Sequence, residues 1–251
     1  MRALLPALTL LLLAGGALTA LDQRTTPSTE EPSVSSAVPP SPAGMPLPEN
    51  LSLDSSSQGR LFQALEGADR RWLPRVEVIP GVGKRYHYQR RQGEPPLTLD
   101  EVKRLLANPP SYRRERQAIA DLLEQLERGG VSVVVAAPKQ KGAAGEWNPR
   151  RGELRLRPDV VTKGTREFAL VLNHEAIHVA QSCRNGALTA RPRLLGLSRQ
   201  LDDRARRHLR EPLYAKASRE QRELEEEAYG NQQNLNLGWQ LLVQHCRSRP
   251  R

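Results

Sequence analysis

Aromatic side chains are scarce in this chain: three Trp, five Tyr and two Phe among 251 residues. Proteins that hold nucleic acid by stacking need such rings in series. Neither a series nor a nucleic-acid module signature is present, so no nucleic-acid partner is expected. Long apolar runs are lacking too. After the stretch Ala3 to Ala14, no segment has the length to span a bilayer. No cysteine follows that stretch, which argues against a lipid anchor, and the sequence contains no internal repeat. Basic residues are nearly missing from residues 21–58, so the formal net charge of +10 is concentrated in residues 59–251. Cysteine is limited to Cys183 and Cys246.

The opening of the chain reads as an export signal. Arg2 precedes the apolar run, and the small residues Gly15, Gly16, Ala17, Thr19 and Ala20 follow it, with a cleavage point near Ala17 or Ala20. An uncleaved anchor is the alternative, but the run is short for a bilayer span. Residues 1–20 are therefore expected to be a signal peptide, and the protein to be exported to a periplasm, an organelle lumen or the exterior. Residues 21–58 carry Pro27, Pro32, Pro39, Pro40, Pro42, Pro46 and Pro48 among Ser and Thr. Such a segment cannot bury enough apolar surface to offset its ordering entropy, so a disordered tether is expected. In an exported protein the two cysteines read as a disulfide, Cys183 to Cys246. The basic remainder allows weak contact with anionic envelope surfaces.

Residues 59–251 read as one α+β domain. A short helix is expected over 59–72, with Leu61, Phe62 and Leu65 inward. Arg75–Ile79 and Lys84–Gln89 alternate around Pro80-Gly81, the pattern of a hairpin. Thr98 and Glu101 form a capping-box match that opens a helix ending before Pro109-Pro110. Ile119, Leu122, Leu123 and Leu126 make a helical stripe closed by Gly129-Gly130. Val131 to Ala137 is β-branched enough for a strand. Residues 145–148 and 153–157 flank the turn signal Asn148 to Gly152. A helix over 165–182 comes next, then helical stretches over about 194–209 and 217–244.

Within the helix at 165–182 stands His174-Glu175-Ala176-Ile177-His178, an H-E-x-x-H match. Residues four apart share one helix face, so two imidazoles placed this way can bind one ion, and Glu175 falls beside them. Phe168, Val171, Leu172, Ala176, Val179 and Ala180 give this helix the apolar surround of a core element. Two histidines need a third ligand. The position six residues after His178 is Arg184, so a third histidine there is excluded. The acidic run Glu223 to Glu227 is the best source. Glu227 borders the face defined by Leu224, Ala228 and Leu235 and is favoured; Glu225 is its rival. Asn231, one turn beyond Glu227, is a candidate to hydrogen-bond a ligand imidazole. His208, Asp202 and Asp203 are weaker candidates, and His87 and His245 have no motif support. Cys183 is rotated off the histidine face.

Residues 144–240 resemble the zincin metallopeptidases, and the glutamate-bearing helix after the motif resembles the gluzincin branch. The resemblance implies a small zincin-like α+β domain, with a mixed sheet packed on the H-E-x-x-H helix and a C-terminal helical part. It implies Zn2+ held by His174, His178 and Glu227, and Glu175 as general base in hydrolysis of a peptide or protein substrate. It further implies an edge strand for extended substrate, for which 153–157 is positioned. Where the family often carries Asp four residues after the third ligand, this chain has Asn231, or Tyr229 should Glu225 be the ligand. Tyr214, Tyr229 and His208 are candidates to donate to the oxyanion. Two other readings stay open: a catalytically silent zinc scaffold, and an envelope-binding module built on the basic stretch Arg191 to Arg210.

Overall fold

The computed structural model describes residues 47–90 and 94–246. The expected signal peptide and residues 21–46 of the expected tether lie outside them. The tether's last stretch belongs to the fold: Leu51–Ser52 is a strand (β1) that pairs with Val134 and Val135, and Leu53 is buried. Among the described residues, 72–90 and 94–110 form one compact unit, and 47–71 with 111–246 form another.

After β1 the larger unit continues with α1 (Gln58–Trp72), whose Leu61 and Leu65 are fully buried. The smaller unit comes next in the chain. Its strands β2 (Arg75–Ile79) and β3 (Gly83–His87) form an antiparallel hairpin with Val76 opposite Tyr86. Its helix α2 (Leu99–Ala107) opens with the capping box: Glu101 donates its backbone N–H to Thr98 Oγ1, and Thr98 donates its own to Glu101 Oε2. It ends before Pro109, as a proline's restriction on the preceding residue dictates. Lys103 Nζ lies 6.0 Å from the centroid of the buried Tyr86 ring.

The larger unit resumes with α3 (Arg113–Arg128), which buries the predicted stripe. Strands β4 (Ser132–Val135), β5 (Gly145–Asn148) and β6 (Glu153–Leu156) complete a mixed four-stranded sheet in the order β1-β4-β6-β5. β4 and β6 run parallel, while β1 and β5 are antiparallel to their neighbours. The edge next to the motif helix is thus β5. The stretch expected at that edge, 153–157, lies inside the sheet, because pairing of β6 with β4 covers its other side.

A short helix α4 (Pro158–Thr162) leads into α5 (Thr165–Arg184), the motif helix. α5 is apolar around most of its circumference and packs against the sheet, α3 and two later helices, so it is a central helix rather than an amphipathic surface one. Its N-cap position is Gly164, which has no side chain to cap with. Asp69 of α1 substitutes, accepting the Thr165 backbone N–H at 2.8 Å and the Thr165 hydroxyl. A carboxylate there satisfies orphan donors and meets the positive end of the helix dipole.

Two expected helices are shortened. In the stretch 194–209 only α6 (Asp203–His208) is helical, capped by Asp202. Residues 191–202 have no regular structure: Gly196 takes φ +88°, and the amides of Leu195, Gly196 and Leu197 bond to a side chain instead of to a helical turn. In the stretch 217–244, α7 (Arg219–Asn231) and α8 (Leu237–His245) are separated by a bend. Asn173 of α5 fixes that bend, donating to the carbonyls of Gln232 and Asn234 and accepting from Gly238 N–H, each at 2.9 Å. The disulfide between Cys183 and Cys246 is present and ties the end of α5 to the end of α8. The architecture is α+β, with α6, α7 and α8 as the C-terminal helical part.

Asp69→Ala strands the Thr165 amide and hydroxyl in a buried setting, so stability is expected to fall by about 1–3 kcal/mol. Urea denaturation reads this as a lower midpoint at unchanged slope. A loss below about 0.5 kcal/mol, the ordinary surface range, rules out the capping role.

Candidate metal centre

α5 supplies His174 and His178, one turn apart, with their Nε2 atoms 3.2 Å from each other. α7 lies against α5 and brings Glu225 to the pair. Glu225 Oε2 is 3.3 Å from His174 Nε2 and 3.6 Å from His178 Nε2. These three atoms are the one His/Cys/Asp/Glu group among the described residues that could hold a metal ion. The spacing is itself a test of fit. Four donors about 2.0–2.1 Å from a tetrahedral ion stand about 3.3–3.4 Å from one another. The three measured separations bracket that edge, so the triangle matches one face of such a tetrahedron.

The imidazoles are oriented unequally. His178 Nδ1 lies 2.7 Å from Gln181 Oε1, so it donates there and Nε2 is the nitrogen left to face a metal. His174 Nδ1 is buried with no hydrogen-bond partner among the described residues. The His174 ring is held by packing, with the Tyr229 ring centroid 4.4 Å away.

Electrostatics at the cluster oppose burial. Burial disfavours a charged His178, but the Glu225 carboxylate outweighs it and the pKa is pushed up to about 9. The same attraction works on Glu225: burial raises its carboxyl, and His178 and His174 bring it well below the ordinary carboxylate range.

Glu175 stands outside the group of His174, His178 and Glu225, with its carboxyl against the sheet. It is buried, and its carboxyl rests on Gly145 of β5, where an added Cβ would stand 2.6 Å from Glu175 Cγ and Oε1. That close approach is why residue 145 has no side chain. The Trp147 backbone amide also hydrogen-bonds to the carboxylate. Burial pushes the Glu175 carboxyl up; the imidazoles of His174 and His178 pull the other way without cancelling it. Trp147 is anchored in turn by its Nε1–H, which donates to Ser182 Oγ of α5 at 2.9 Å.

These groups line a cleft of about 780 Å3. β5 forms one wall. Opposite it stand Tyr214, in a 3-10 turn over Pro212–Tyr214, and Tyr229 of α7. The Tyr214 hydroxyl is 3.2 Å from Glu225 Oε2 and 3.1 Å from the Tyr229 hydroxyl. Burial pushes both phenols up, so they are neutral hydrogen-bonding groups.

Several expected roles are reassigned. Glu227 is not with the histidines. It is 1% exposed and accepts from Gln181 Nε2 and from the backbone amides of Leu195, Gly196 and Leu197. Glu225 takes its place because positions 225 and 229 of α7 flank the side facing His174, while 227 is rotated about 200° from 225. Asn231 does not touch an imidazole; it donates to the carbonyls of Ser198 and Glu227. His208 lines the cleft and stacks on Tyr229, with its Nδ1 2.7 Å from Glu211. Asp202 is a helix cap and Asp203 pairs with Arg206. His87 lies in the smaller unit beside Glu77. Gln181 is the functional residue that sequence reasoning missed. Its signal was its place three residues after His178, on the same helix face.

Compared with protein-family models, curated proteins and solved structures, the chain matches none.

Metal affinity at this centre is expected to depend on pH. A proton on His178 blocks its donor atom, and that proton is held until about pH 9. A divalent ion must displace it, so apparent affinity rises by about tenfold per pH unit between pH 7 and pH 9 and levels off above. Chelator competition across that range, with proton release followed by calorimetry, measures this. A flat profile contradicts it.

Proposed function

We propose that the protein is a zinc-dependent hydrolase that cleaves peptide bonds, a zincin of gluzincin type with Glu225 as the third ligand. One observation carries the reading. The residue that follows the first ligand histidine is a buried carboxylate, held beside the metal-binding triangle but outside it. A carboxylate serving as a ligand would face the ion; one beside the ion but outside the ligand set is placed to exchange a proton with water bound there.

His174, His178 and Glu225 would hold the metal with one coordination position left open. Zinc bound there supplies a Lewis acid that lowers the pKa of a water and polarises a carbonyl. Glu175 takes the proton of the attacking water and passes it to the leaving amine. Its raised pKa brings it nearer neutrality, which suits a group that must both accept and release a proton. Gly145 and the Trp147 amide keep its carboxylate in place. β5 is an edge strand that lines the cleft, and an extended peptide can pair with the part of its backbone that Glu175 does not occupy. Tyr214 and Tyr229 present neutral hydroxyls from the opposite wall, and these stabilise negative charge developing on the carbonyl oxygen. The disulfide fits an oxidising compartment and an exported protein.

Two variants test the assignment. Glu175→Gln retains zinc and loses hydrolysis of a peptide library by about 10²–10⁴-fold. Persistence of hydrolysis at the native rate eliminates Glu175 as the base. Parent protein that binds zinc and cleaves nothing supports the silent scaffold instead. Gly145→Ala forces the Glu175 carboxylate to shift, so kcat drops by about 100-fold with zinc content unchanged. An unaltered kcat shows that the contact with β5 is not what positions the base.

A further inference from the structure

Resting on the reading of His174, His178 and Glu225 as a metal site, we propose that Gln181 and Glu227 are positioning residues for His178. Through Glu227, the segment Leu195–Leu197 is coupled to the metal.

Donor and acceptor parity fixes each bond in turn. Backbone amides can only donate. Three consecutive ones converge on Glu227: Gly196 and Leu197 reach Oε1 at 2.8 Å each, and Leu195 reaches Oε2 at 2.9 Å. Glu227 must therefore accept, and its Oε2 also takes Gln181 Nε2 at 2.9 Å. Gln181 Nε2 faces a second pure acceptor, the Leu224 carbonyl, at 3.2 Å. The orientation of the Gln181 amide is thus set from two sides, and Oε1 is left for His178. His178 Nδ1 must then donate, which makes Nε2, facing Glu225 and His174, the nitrogen that takes a metal once its proton is displaced. Each link allows one direction only.

Burial makes the chain costly to break. Gln181 is fully buried and Glu227 is 1% exposed, and no cation pairs with Glu227 among the described residues. Its charge is compensated by N–H donors alone. His174 has no comparable support, since its Nδ1 is without a hydrogen-bond partner among the described residues. Hydrogen-bonded control of ligand orientation is concentrated on His178. The stretch at the far end, residues 191–202, has no regular structure; its Arg193 amide also donates to the Gln181 carbonyl at 2.9 Å, and Arg191 and Pro192 line the cleft. Order in the cleft wall and order at the metal ligand share one carboxylate.

The test uses zinc affinity, read by competition with a chromophoric chelator, alongside thermal melting of the metal-free protein. Glu227→Gln sets an amide N–H against either Gln181 Nε2 or the backbone donors. If Gln181 turns over, it presents N–H to His178 Nδ1 and reverses the tautomer. Zinc affinity is expected to fall about 10–100-fold. Gln181→Met removes the link at similar volume and no change of charge, and gives the same loss; it carries the test should Glu227→Gln lower stability. The exchanged pair Gln181→Glu with Glu227→Gln restores donor and acceptor at the contacts 181–227 and 181–178 and leaves the contact with the Leu224 carbonyl unmatched. Residue 227 then accepts the backbone amides on Oε1 and donates to residue 181, so affinity recovers in part, above that of either single variant. A purely structural role does not produce that rescue.

Coupling is measured on the parent protein by hydrogen exchange. Zinc slows exchange of the Leu195, Gly196 and Leu197 amides more than that of the β4 amides, because linkage is reciprocal. Single variants that bind zinc as the parent does, a double variant no better than the singles, or equal slowing in the two segments overturns the proposal. Parent protein that binds no zinc, or a His174→Ala variant that binds it normally, overturns the metal site itself. That result is visible before any comparison of Gln181 and Glu227.

Discussion

Two imidazoles and a carboxylate within 3.2–3.6 Å of one another inside a packed protein impose a demand on everything around them. Each group loses water, and the loss is offset where the remaining lone pairs and protons find partners; among the described residues His174 Nδ1 finds none. Burial of Glu225 and His178 is balanced by their mutual attraction, and Tyr214 adds a hydroxyl to Glu225. Glu175 adds a second carboxylate a few ångströms away, compensated by a backbone amide and by its position against β5. The helix that bears three of these four groups can carry so much polarity because Phe168, Leu172, Ala176, Ile177, Val179 and Ala180 bury it in the core and its buried Asn173, Gln181 and Ser182 are hydrogen-bonded.

The fixation of α5 meets that demand. Its N-terminus is capped from α1 by Asp69, its C-terminus is bonded to Cys246, and its middle is hooked to the α7–α8 bend through Asn173. A helix free to slide by one residue would rotate His174 by about 100° and dissolve the cluster. Three ties on three different elements oppose that slide. The bend at 232–236 is therefore part of the site's construction: without it α7 and α8 would run on as one helix, and Asn173 would have nothing to hold.

Local features were legible in the sequence, and features fixed at long range were not. The H-E-x-x-H pair is legible because four residues of helix determine its geometry unaided. So are the capping box at Thr98, the stripe on α3 and the hairpin of β2 and β3, each written within a few residues. The choice between Glu225 and Glu227 is different in kind. Both border the buried stripe of Leu224 and Ala228, on opposite sides, and which side meets α5 depends on how two helices dock. Gly230, small enough to admit a neighbouring helix, serves another contact: an added Cβ there would meet the backbone of Ser198 and Gln200. The helix expected over 194–209 fails for the same cause. Its composition suits a helix, but a buried carboxylate from elsewhere takes three of its amides. The edge strand was misassigned because adjacency in a hairpin shows that β5 and β6 pair, and does not show which of them has a second neighbour.

Three consecutive residues of α5 condense the whole design. Successive side chains on a helix diverge by about 100°, so Asn173, His174 and Glu175 leave the axis in three directions. Asn173 reaches the link between α7 and α8, His174 faces α7 and forms the triangle with His178 and Glu225, and Glu175 lies on the edge of the sheet. One turn later His178 and Gln181 repeat the pattern: the first joins the triangle, and the second reaches under α7 to Glu227. The helix works as a spindle, with structural and chemical roles assigned by angle. A substitution that merely rotated one of these side chains would exchange a ligand for a strut, which is why the apolar packing on α5 is as much a part of the chemistry as the histidines are.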